Sequence, residues 1–404
     1  MEKLVIVGAG AGGVILANSL DTKKFEITII DKSPTSVFQP AYLYAAFKGY
    51  NANIEKPTQK LLKKGISLKI EEVKKIDLAN RNIATNVASY SYDKLVIATG
   101  SITDVSQISG LPEVNSKFGD YHTSLSNARK LWHNLTEFNG GTIAIGMASP
   151  TCKCPPSPLE GVFLTEEFIA KRNLKEKTKI VFFVPYPRAY PAEPMNDVIA
   201  PILSKRGIET YTFFDVDRID PEKRTIYSIE GDAISYDLPI IIPPCVGARI
   251  EYNPAEVVDS DRFIKADKYT MKVQGFDDAF AIGDATAIPT AKSGVTAHLQ
   301  AKTVAKILNG LDAKFDGRTN CPFDMGYGKG SFIIGSYTEP VVKYPPTRLK
   351  LFMKLMMEKI YWQSLKGTYD FIFDLYFKRT DPAKLNKKYG SGKGIASAAK
   401  VDAK

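Results

Sequence analysis

The chain has 404 residues, of which 44% are hydrophobic and 24% are charged, and its formal net charge is +10. This apolar content excludes a disordered protein, and the length predicts two or three domains. The four cysteines are too few for a secreted disulfide scaffold, and no apolar run is long enough to predict a transmembrane helix. Because the N-terminus opens directly into a strand, we expect no signal peptide and an intracellular protein. The positive net charge fits anionic lipid, nucleic acid and anionic substrate equally well as partners.

The first thirty residues predict a strand, a glycine-rich turn, a helix and a second strand. The apolar run 4–7 leads into a segment, 8–13, with the spacing G-x-G-x-x-G. Its first glycine allows a tight turn, its second lets a pyrophosphate approach, and its third lets helix and strand pack closely. An acidic residue at the end of the second strand is placed to accept hydrogen bonds from ribose hydroxyls. The dinucleotide contacts expected here are Gly8, Ala9, Gly10, Ala11, Gly12, Gly13 and Asp31.

Two later strands end in short motifs, Ala-Thr-Gly at 98–100 and Gly-Asp at 283–284. With the glycine-rich turn, they resemble in order the three fingerprints of the flavoproteins with two dinucleotide-binding domains. The resemblance implies FAD as the cofactor, with Asp284 at its ribityl chain. No cysteine lies where some relatives attach FAD, so we expect no thioether link at those places. The further cofactor contacts expected are Val73, Ala98, Thr99, Gly100, Gly283, Asp284 and Lys292.

The predicted fold class is α/β, with two Rossmann-like domains of the glutathione-reductase type. We expect the FAD domain to comprise 1–103 and 255–340, with a second Rossmann-like domain, 104–254, inserted in it. Strands are predicted at 142–145, 179–184 and 210–214, and helices at 161–171 and 195–205. The first of these strands runs into Gly146, the one glycine of the fingerprint present, and then Pro150, which lacks an N–H. Nicotinamide nucleotide binding in the usual way is therefore not expected, although a divergent NADH site remains the alternative.

The cysteines are Cys152, Cys154, Cys245 and Cys321, and none forms a C-x-x-C pair. This spacing fits neither a thioredoxin-type pair nor a zinc ribbon, and no metal site is predicted. The segments 154–161 (Cys-Pro-Pro-Ser-Pro-Leu-Glu-Gly) and 320–330 (Asn-Cys-Pro-Phe-Asp-Met-Gly-Tyr-Gly-Lys-Gly) resemble those that carry the redox cysteines of sulfide:quinone oxidoreductases and of the flavocytochrome c sulfide dehydrogenase flavoprotein. This family resemblance spans about residues 1–365. We favour a buried small hydrophobe for Cys245, and Cys152 is ambiguous.

The resemblance implies an FAD-dependent enzyme in which Cys154 and Cys321 form a redox-active disulfide beside the flavin. Hydrosulfide attacks the disulfide, leaving a persulfide and a thiolate, and electrons pass through FAD to a membrane quinone. Sulfur leaves as polysulfide or elemental sulfur. Glu160 stands where quinone-reducing relatives carry a glutamate proposed as the base; a surface or capping glutamate is the alternative. No nucleic-acid partner is expected, and a homo-oligomer is left open.

After Asp284, residues from 293 onward predict a helix whose positive N-terminus points at the flavin in the family. The resemblance places Lys292 at both cofactor and quinone, with a solvated lysine as the alternative. The quinone contacts it implies are Lys292, Gly294, Phe332 and Phe352. No role is assigned to the three histidines.

The segment 348–362 predicts a basic amphipathic helix, with Leu349, Phe352, Met356 and Ile360 recurring at helical spacing. A second apolar stretch, 371–379, follows it. We expect the region 341–380 to lie in the membrane interface with its lysines and arginines toward anionic headgroups; dimerisation or core helices are the alternative. The protein would be peripheral (monotopic) at the cytoplasmic face of the cell membrane. The stretch 381–404 is predicted to be a disordered basic tail.

Three rival functions remain. A flavocytochrome-type sulfide dehydrogenase would pass electrons to a cytochrome, and it is disfavoured by the basic amphipathic end. An NADH:quinone oxidoreductase is disfavoured by the missing second fingerprint. A non-enzymatic sulfur carrier or flavin sensor is disfavoured by paired cysteines that flank a complete FAD site.

Overall fold

The computed structural model describes residues 1–51, 53–151 and 153–390. In chain order the strands are β1 (Glu2–Val7), β2 (Phe25–Asp31), β3 (Thr35–Val37), β4 (Glu55–Pro57), β5 (Ser67–Ile70), β6 (Val73–Asp77), β7 (Asn82–Thr85), β8 (Ser89–Ser91), β9 (Lys94–Ile97), β10 (Ser101–Thr103), β11 (Gly141–Met147), β12 (Thr178–Phe183), β13 (Glu209–Tyr211), β14 (Val216–Asp220), β15 (Thr225–Ser228), β16 (Ala233–Ser235), β17 (Leu238–Ile242), β18 (Cys245–Gly247), β19 (Glu251–Asn253), β20 (Ala279–Ala281), β21 (Thr319–Asp324) and β22 (Gly330–Gly335). The α-helices are α1 (Ala11–Ser19), α2 (Ala41–Lys48), α3 (Leu111–Phe118), α4 (Leu125–Glu137), α5 (Ser157–Lys171), α6 (Glu193–Lys205), α7 (Gly294–Leu308), α8 (Arg348–Leu365), α9 (Asp370–Arg379) and α10 (Pro382–Tyr389).

A parallel sheet in the order β20-β9-β1-β2-β5 forms the first half of the fold. It combines strands that are distant in the sequence, because β20 pairs with β9 although about 180 residues lie between them. The central strand β1 is buried from Leu4 to Val7, which explains its continuous apolar run. Because its strands are parallel, the carboxyl ends of β1, β9 and β20 meet at one edge, where such sheets bind their ligands.

A second parallel sheet, in the order β13-β12-β11-β17, carries α5 and α6. The strands and helices predicted in this segment are present. α5 begins at Ser157, four residues before the predicted start at Gly161. Proline is tolerated in the first helical turn, where an N–H has no intrahelical partner, so Pro158 does not delay the helix.

The hairpin β21–β22 joins the two halves. Cys321 pairs with Ile333 across the hairpin, and both side chains belong to the buried core around the second sheet. The hairpin also contacts α5, α7 and α8. Cys321 is thereby fixed between elements of both sheets.

The C-terminal helices differ from the prediction in two respects. The predicted tail is helical over Pro382–Tyr389, so the expectation of disorder is wrong there. The Asp381 side chain caps this helix at Lys384 N (3.2 Å), and Leu385 packs with Phe332. Residues 391–404 of the predicted tail lie outside the described residues. Within the part of the chain that the structure describes, no helix has both the length and the apolarity needed to cross a membrane.

The second difference is the orientation of α8. Lys350 and Lys354 are buried, whereas Leu349 and Phe352 are 67% and 59% exposed. The predicted orientation of these lysines toward lipid headgroups is therefore wrong. Lys354 turns inward because it pairs with acidic groups inside the protein. Four apolar residues of α8 are left exposed: Leu349, Phe352, Leu355 and Met356.

Candidate active site

A cavity of about 530 Å³ lies at the edge where the strands of the first sheet end. The N-termini of α1, α5 and α7 open on it, and residues of α2, α8 and α9 are also part of its wall. Its volume is within the range of about 300–1,000 Å³ typical of cofactor sites. The N-termini of α1 and α7 present N–H groups and positive dipoles, so this wall suits an anionic ligand.

The glycine-rich turn between β1 and α1 leaves space on the cavity side. A Cβ on Gly10 would have no protein atom within 4 Å, and Gly10 lines the cavity. Gly8 and Gly13 instead permit close packing. Gly8 has φ +106°, and a Cβ on Gly13 would lie 2.0 Å from the Gly8 carbonyl oxygen. The space at Gly10 is the path that a pyrophosphate needs.

Two carboxylates lie on the same cavity wall. Asp31 accepts hydrogen bonds from Ala9 N (2.6 Å) and Ser33 N (2.8 Å), which fix it at the end of β2. Asp284 follows β20, and burial raises its pKa, although the charges of Lys153 and Lys292 oppose that effect. Carboxylates in these positions accept hydrogen bonds from sugar and ribityl hydroxyls. The open path at Gly10, the helix N-terminus behind it and the two carboxylates together fit FAD.

Most of the predicted cofactor contacts come together on this cavity. Those that line it are Gly8, Ala9, Gly10, Ala11, Gly12, Asp31, Ala98, Thr99, Gly100, Gly283, Asp284 and Lys292. Gly13 packs against the turn behind it. Val73 does not line the cavity: its side chain lies in the hydrophobic core around β6, β7 and β9. Spacing in the sequence could not distinguish that core position from a cofactor contact.

Lys292 lies where the first sheet meets α7. Its ammonium donates to the carbonyl oxygens of Asp284 (3.1 Å) and Thr286 (2.9 Å), and it lies 3.5 Å from the centre of the Phe263 ring. Burial lowers its pKa, and Asp284 opposes that effect. Ser293 caps α7, and Gly294 begins that helix on the cavity wall. The lysine is thus a fixed cavity residue and not a solvated one.

Cys154 and Cys321 line the same cavity, although 166 residues separate them. Cys154 has φ +52°, a conformation that a non-glycine residue rarely adopts, and its N–H donates to the Lys292 carbonyl (2.8 Å). The Cys321 sulfur lies 3.4 Å from the Thr319 hydroxyl. Burial raises the pKa of the Cys321 thiol, and hydrogen bonds from Ser293 and Thr319 oppose that effect. The two sulfurs are not joined to each other in this structure.

The other two cysteines differ from this pair. Cys245 lies on β18, opposite Thr103, and is buried off the cavity, as expected for a small hydrophobe. Burial raises the pKa of its thiol, and Lys292 opposes that effect. Cys152 lies outside the described residues.

Glu160, on the first turn of α5, lies in the wall of the cavity that Cys154 and Cys321 also line. Its Oε1 accepts a hydrogen bond from Asp324 N (2.6 Å) and lies 3.1 Å from the Lys354 ammonium. Burial raises the pKa of Glu160 to about 7, against the lowering effect of Lys354. Glu160 is therefore neither a surface residue nor a side-chain helix cap, and its proton affinity suits exchange near neutral pH.

Two of the predicted quinone contacts are not on the cavity. Phe332 is buried with Ile334, Val342 and Leu385, behind the hairpin. Phe352 points to the outer surface of α8. The aromatic character of these two residues could not show whether each would lie in a core, on the surface or on the cavity wall.

Several cavity residues were not anticipated from the sequence. Lys354, Glu358 and Tyr361 line it from α8. A Lys-Glu pair at i, i+4 ordinarily lies on an exposed helix surface, so it did not indicate this position. His298 lines it from α7, with its ring centre 5.3 Å from that of Phe373 on α9. Burial lowers the pKa of His298 to about 4, so the imidazole is neutral at pH 7.

His122 is a further cavity residue that was not anticipated from the sequence. His122 Nε2 lies 2.8 Å from the hydroxyl of Ser157, and both residues line the cavity. Burial lowers the pKa of His122 to about 4, against the raising effect of Asp120. The cysteine end of the cavity therefore holds a neutral imidazole.

Comparisons with known proteins identify the family and the fold of this chain. Residues 2–301 match the sequence profile described as pyridine nucleotide-disulphide oxidoreductase. A mouse protein named mitochondrial sulfide:quinone oxidoreductase is 24% identical over 392 residues, which cover 91% of this chain and 87% of that protein. A Staphylococcus aureus type II NADH:quinone oxidoreductase is 24% identical over 348 residues, covering 76% of this chain and 83% of that protein.

Among solved structures, the sulfide:quinone oxidoreductase of Aquifex aeolicus superposes with a TM-score of 0.79. It is 20% identical and covers 91% of this chain and 92% of that one, and a likeness at this identity shows the fold. The predicted α/β fold, the FAD cofactor and the resemblance stated above are thereby confirmed.

Proposed function

Because the chain belongs to the pyridine nucleotide-disulphide oxidoreductase family, and is an FAD-dependent oxidoreductase, we propose that it oxidises hydrosulfide and reduces a membrane quinone. One observation carries the proposal: two cysteines from distant segments line the same cavity as the residues that fit FAD. An electron donor that reacts with cysteine sulfur can pass its electrons to FAD only if the cysteines lie beside the flavin. The names of the relatives at 91% coverage support the same reading.

The two cysteines do the sulfur chemistry as a disulfide. HS⁻ attacks one sulfur, the S–S bond breaks, and a persulfide forms on one cysteine while the other leaves as a thiolate. When the link closes around the added sulfur, as Cys–S–S–S–Cys, two electrons and one proton are released. The residues of the glycine-rich turn, Asp31 and Asp284 would hold FAD, which would supply a two-electron acceptor for these electrons and this proton. A quinone that received them would become a quinol with one further proton. A second HS⁻ releases the added sulfur as HSS⁻ and restores the disulfide.

Glu160 acts as the base that generates the attacking anion. Its carboxylate takes a proton from H₂S in the cavity, which leaves HS⁻ beside Cys154 and Cys321. A pKa of about 7 lets it accept and release this proton near neutral pH. The N-terminus of α7 and Lys292 give this region positive charge, which favours the hydrosulfide anion.

The other end of the cavity suits a quinone. Met357, Tyr361, Phe373 and Phe377 line it, and they belong to α8 and α9. The outer sides of these helices expose large apolar residues. Those exposed are Leu349, Phe352, Leu355, Met356, Phe371, Ile372 and Leu375, here called the apolar face. An apolar face of this kind lies in a membrane interface, so a lipid-soluble quinone can pass from the bilayer to the cavity. Attachment at the cytoplasmic face of the cell membrane is part of this proposal.

The principal rival is an NADH:quinone oxidoreductase, since relatives with that name also match. In the second sheet the β11–α5 turn is where a nicotinamide nucleotide would place its pyrophosphate. Here Pro155, Pro156 and Pro158 remove N–H groups at the start of α5, and the Tyr186 hydroxyl donates to the Pro150 carbonyl (2.9 Å) across the turn. This end of α5 is a poor pyrophosphate site, so sulfide is the preferred donor.

Anaerobic titration of the full-length holoprotein tests the proposal. Sulfide is added first and NADH to a separate sample, while the flavin absorbance is followed, and a short-chain quinone analogue is added last. Sulfide is expected to bleach the flavin and the quinone to restore it, whereas NADH leaves it oxidised. Bleaching by NADH without a response to sulfide would assign the protein to the NADH:quinone branch. Reoxidation by a cytochrome but not by quinone would favour the flavocytochrome-type enzyme.

A further inference from the structure

Glu160 is held from α8, the helix that carries part of the apolar face. Lys354 is 5% exposed, and its ammonium lies 3.1 Å from Glu160 Oε1 and 3.5 Å from Glu358 Oε1. Asp324 N, on the strand of Cys321, donates to the same Glu160 oxygen (2.6 Å). Both contacts engage Oε1, which leaves Oε2 for proton transfer. A buried carboxylate is costly to ionise unless a cation and hydrogen bonds stabilise it.

Other charged and titratable groups face this pair from each neighbouring element. They are Glu358 on α8, Asp324 and Cys321 on β21, Tyr44 and Lys48 on α2, and Cys154 before α5. Lys48 is occupied by Asp324 (2.9 Å), to which the Tyr44 hydroxyl also donates (3.2 Å). Among the described residues, Lys354 is the cation in contact with Glu160.

We propose that Lys354 is a positioning residue for sulfide oxidation, which holds the Glu160 carboxylate ionised and directed at the Cys321 strand. This inference rests on the proposed function and on Glu160 as its base. The ammonium keeps its own proton, and Glu160 takes the proton from H₂S. The same helix turns the apolar face outward and Lys354 inward, so the helix proposed to lie on lipid also sets the base of the sulfide site.

The test is the pH dependence of flavin reduction by sulfide, followed by anaerobic rapid mixing with the full-length holoprotein. The rate is expected to fall at low pH as Glu160 becomes protonated, and this part of the pH profile is called the acid limb. In Lys354→Met the acid limb is expected to move to higher pH by about 1–3 pH units, since an opposite charge within about 4–6 Å lowers a carboxyl pKa by that amount. The plateau rate at high pH is retained. Lys354→Arg keeps the charge and should restore the wild-type limb. In a Glu160→Gln background, Lys354→Met should move no limb.

Lys350 supplies a matched control one turn away. It is buried on the same helix, but its ammonium lies over the Tyr344 ring (3.2 Å) and away from Glu160. Lys350→Met should leave the limb in place. Glu358→Gln removes the second anion that pairs with Lys354, so the ammonium should stabilise the Glu160 carboxylate more strongly and move the acid limb to lower pH. This variant tests the inference if Lys354→Met does not fold.

Two results would overturn the inference. One is an unchanged limb in FAD-loaded Lys354→Met, or in Glu358→Gln where Lys354→Met does not fold. The other is an equal displacement in Lys350→Met. Failure of the proposed function has a different signature, because wild-type flavin would then resist sulfide at every pH.

Discussion

Valine at Gly10 and valine at Gly13 are expected to have different effects, although the two glycines lie only three positions apart in one motif. Gly10 has an extended backbone (φ −72°, ψ −172°) that a β-branched residue adopts readily, and its Cβ would have no protein atom within 4 Å. Gly10→Val should therefore change the free energy of unfolding of the FAD-free protein by less than about 1 kcal/mol. Its side chain fills the pyrophosphate path, so FAD is lost.

Gly13→Val should instead damage the fold. Its Cβ would lie 2.0 Å from the Gly8 carbonyl oxygen, so β1 and α1 must separate by more than about 1 Å to reach an ordinary contact. Overpacking of this kind costs about 1–3 kcal/mol and occasionally more. Valine at Gly13 should therefore lower the free energy of unfolding even without cofactor.

Two measurements distinguish these outcomes: the flavin-to-protein absorbance ratio after gel filtration, and denaturant unfolding with and without added FAD. FAD at 100 times its Kd stabilises a binding protein by about 2.7 kcal/mol. FAD-stripped wild-type protein should show this gain, and Gly10→Val should show none. A yellow, fully loaded Gly10→Val protein would refute the assignment of this turn as the pyrophosphate path.

Replacing Phe352 and Met356 with Glu should release the protein from anionic liposomes in a flotation assay. It should also slow quinone reduction while flavin reduction by sulfide continues. Leu311→Glu, at an exposed position elsewhere, is the control, and unchanged flotation would favour a dimerisation surface. Because the pKa of His298 falls to about 4 on folding, unfolded protein binds more protons between pH 6.5 and 4. His298 should account for about 3 kcal/mol of the stability lost across that window as the pH drops, and His122, whose pKa is also about 4, contributes separately. His298→Leu should remove the His298 share of this loss, and an equal slope in both proteins would contradict the buried neutral imidazole. Phe332→Ala should cost about 3–5 kcal/mol of unfolding free energy without changing the KM for quinone, whereas a raised KM with unchanged stability would return this ring to the quinone site.

The sequence was informative wherever chemistry and local structure coincide. The apolar run of β1, the glycine spacing and Asp31 predict one strand-turn-helix unit because each residue serves the same local geometry. Cys154 and Cys321 could be selected because each lies in a distinctive Cys-Pro segment, and the cavity contains both.

Contacts between residues that are distant in the sequence could not be predicted from it. Lysines on an amphipathic helix usually face solvent, yet Lys354 turns inward to a carboxylate 194 residues earlier in the chain. Phe332 and Val73 have the hydrophobic character of site residues, but packing in the described fold assigns both to cores. Leu385 lies in a basic stretch without an obvious apolar stripe, and a capped short helix buries it against Phe332.

Sulfide-dependent quinone reduction by single cysteine variants tests the central claim most directly. Cys154→Ser and Cys321→Ser should each lose nearly all turnover while keeping a full complement of FAD, and the double variant should lose no more, because the two sulfurs act as one unit. Cys245→Ser, buried off the cavity, is the matched control and should keep substantial activity, with Cys152→Ser between. Near-normal turnover in both Cys154→Ser and Cys321→Ser would contradict the account, even with the fold and FAD intact.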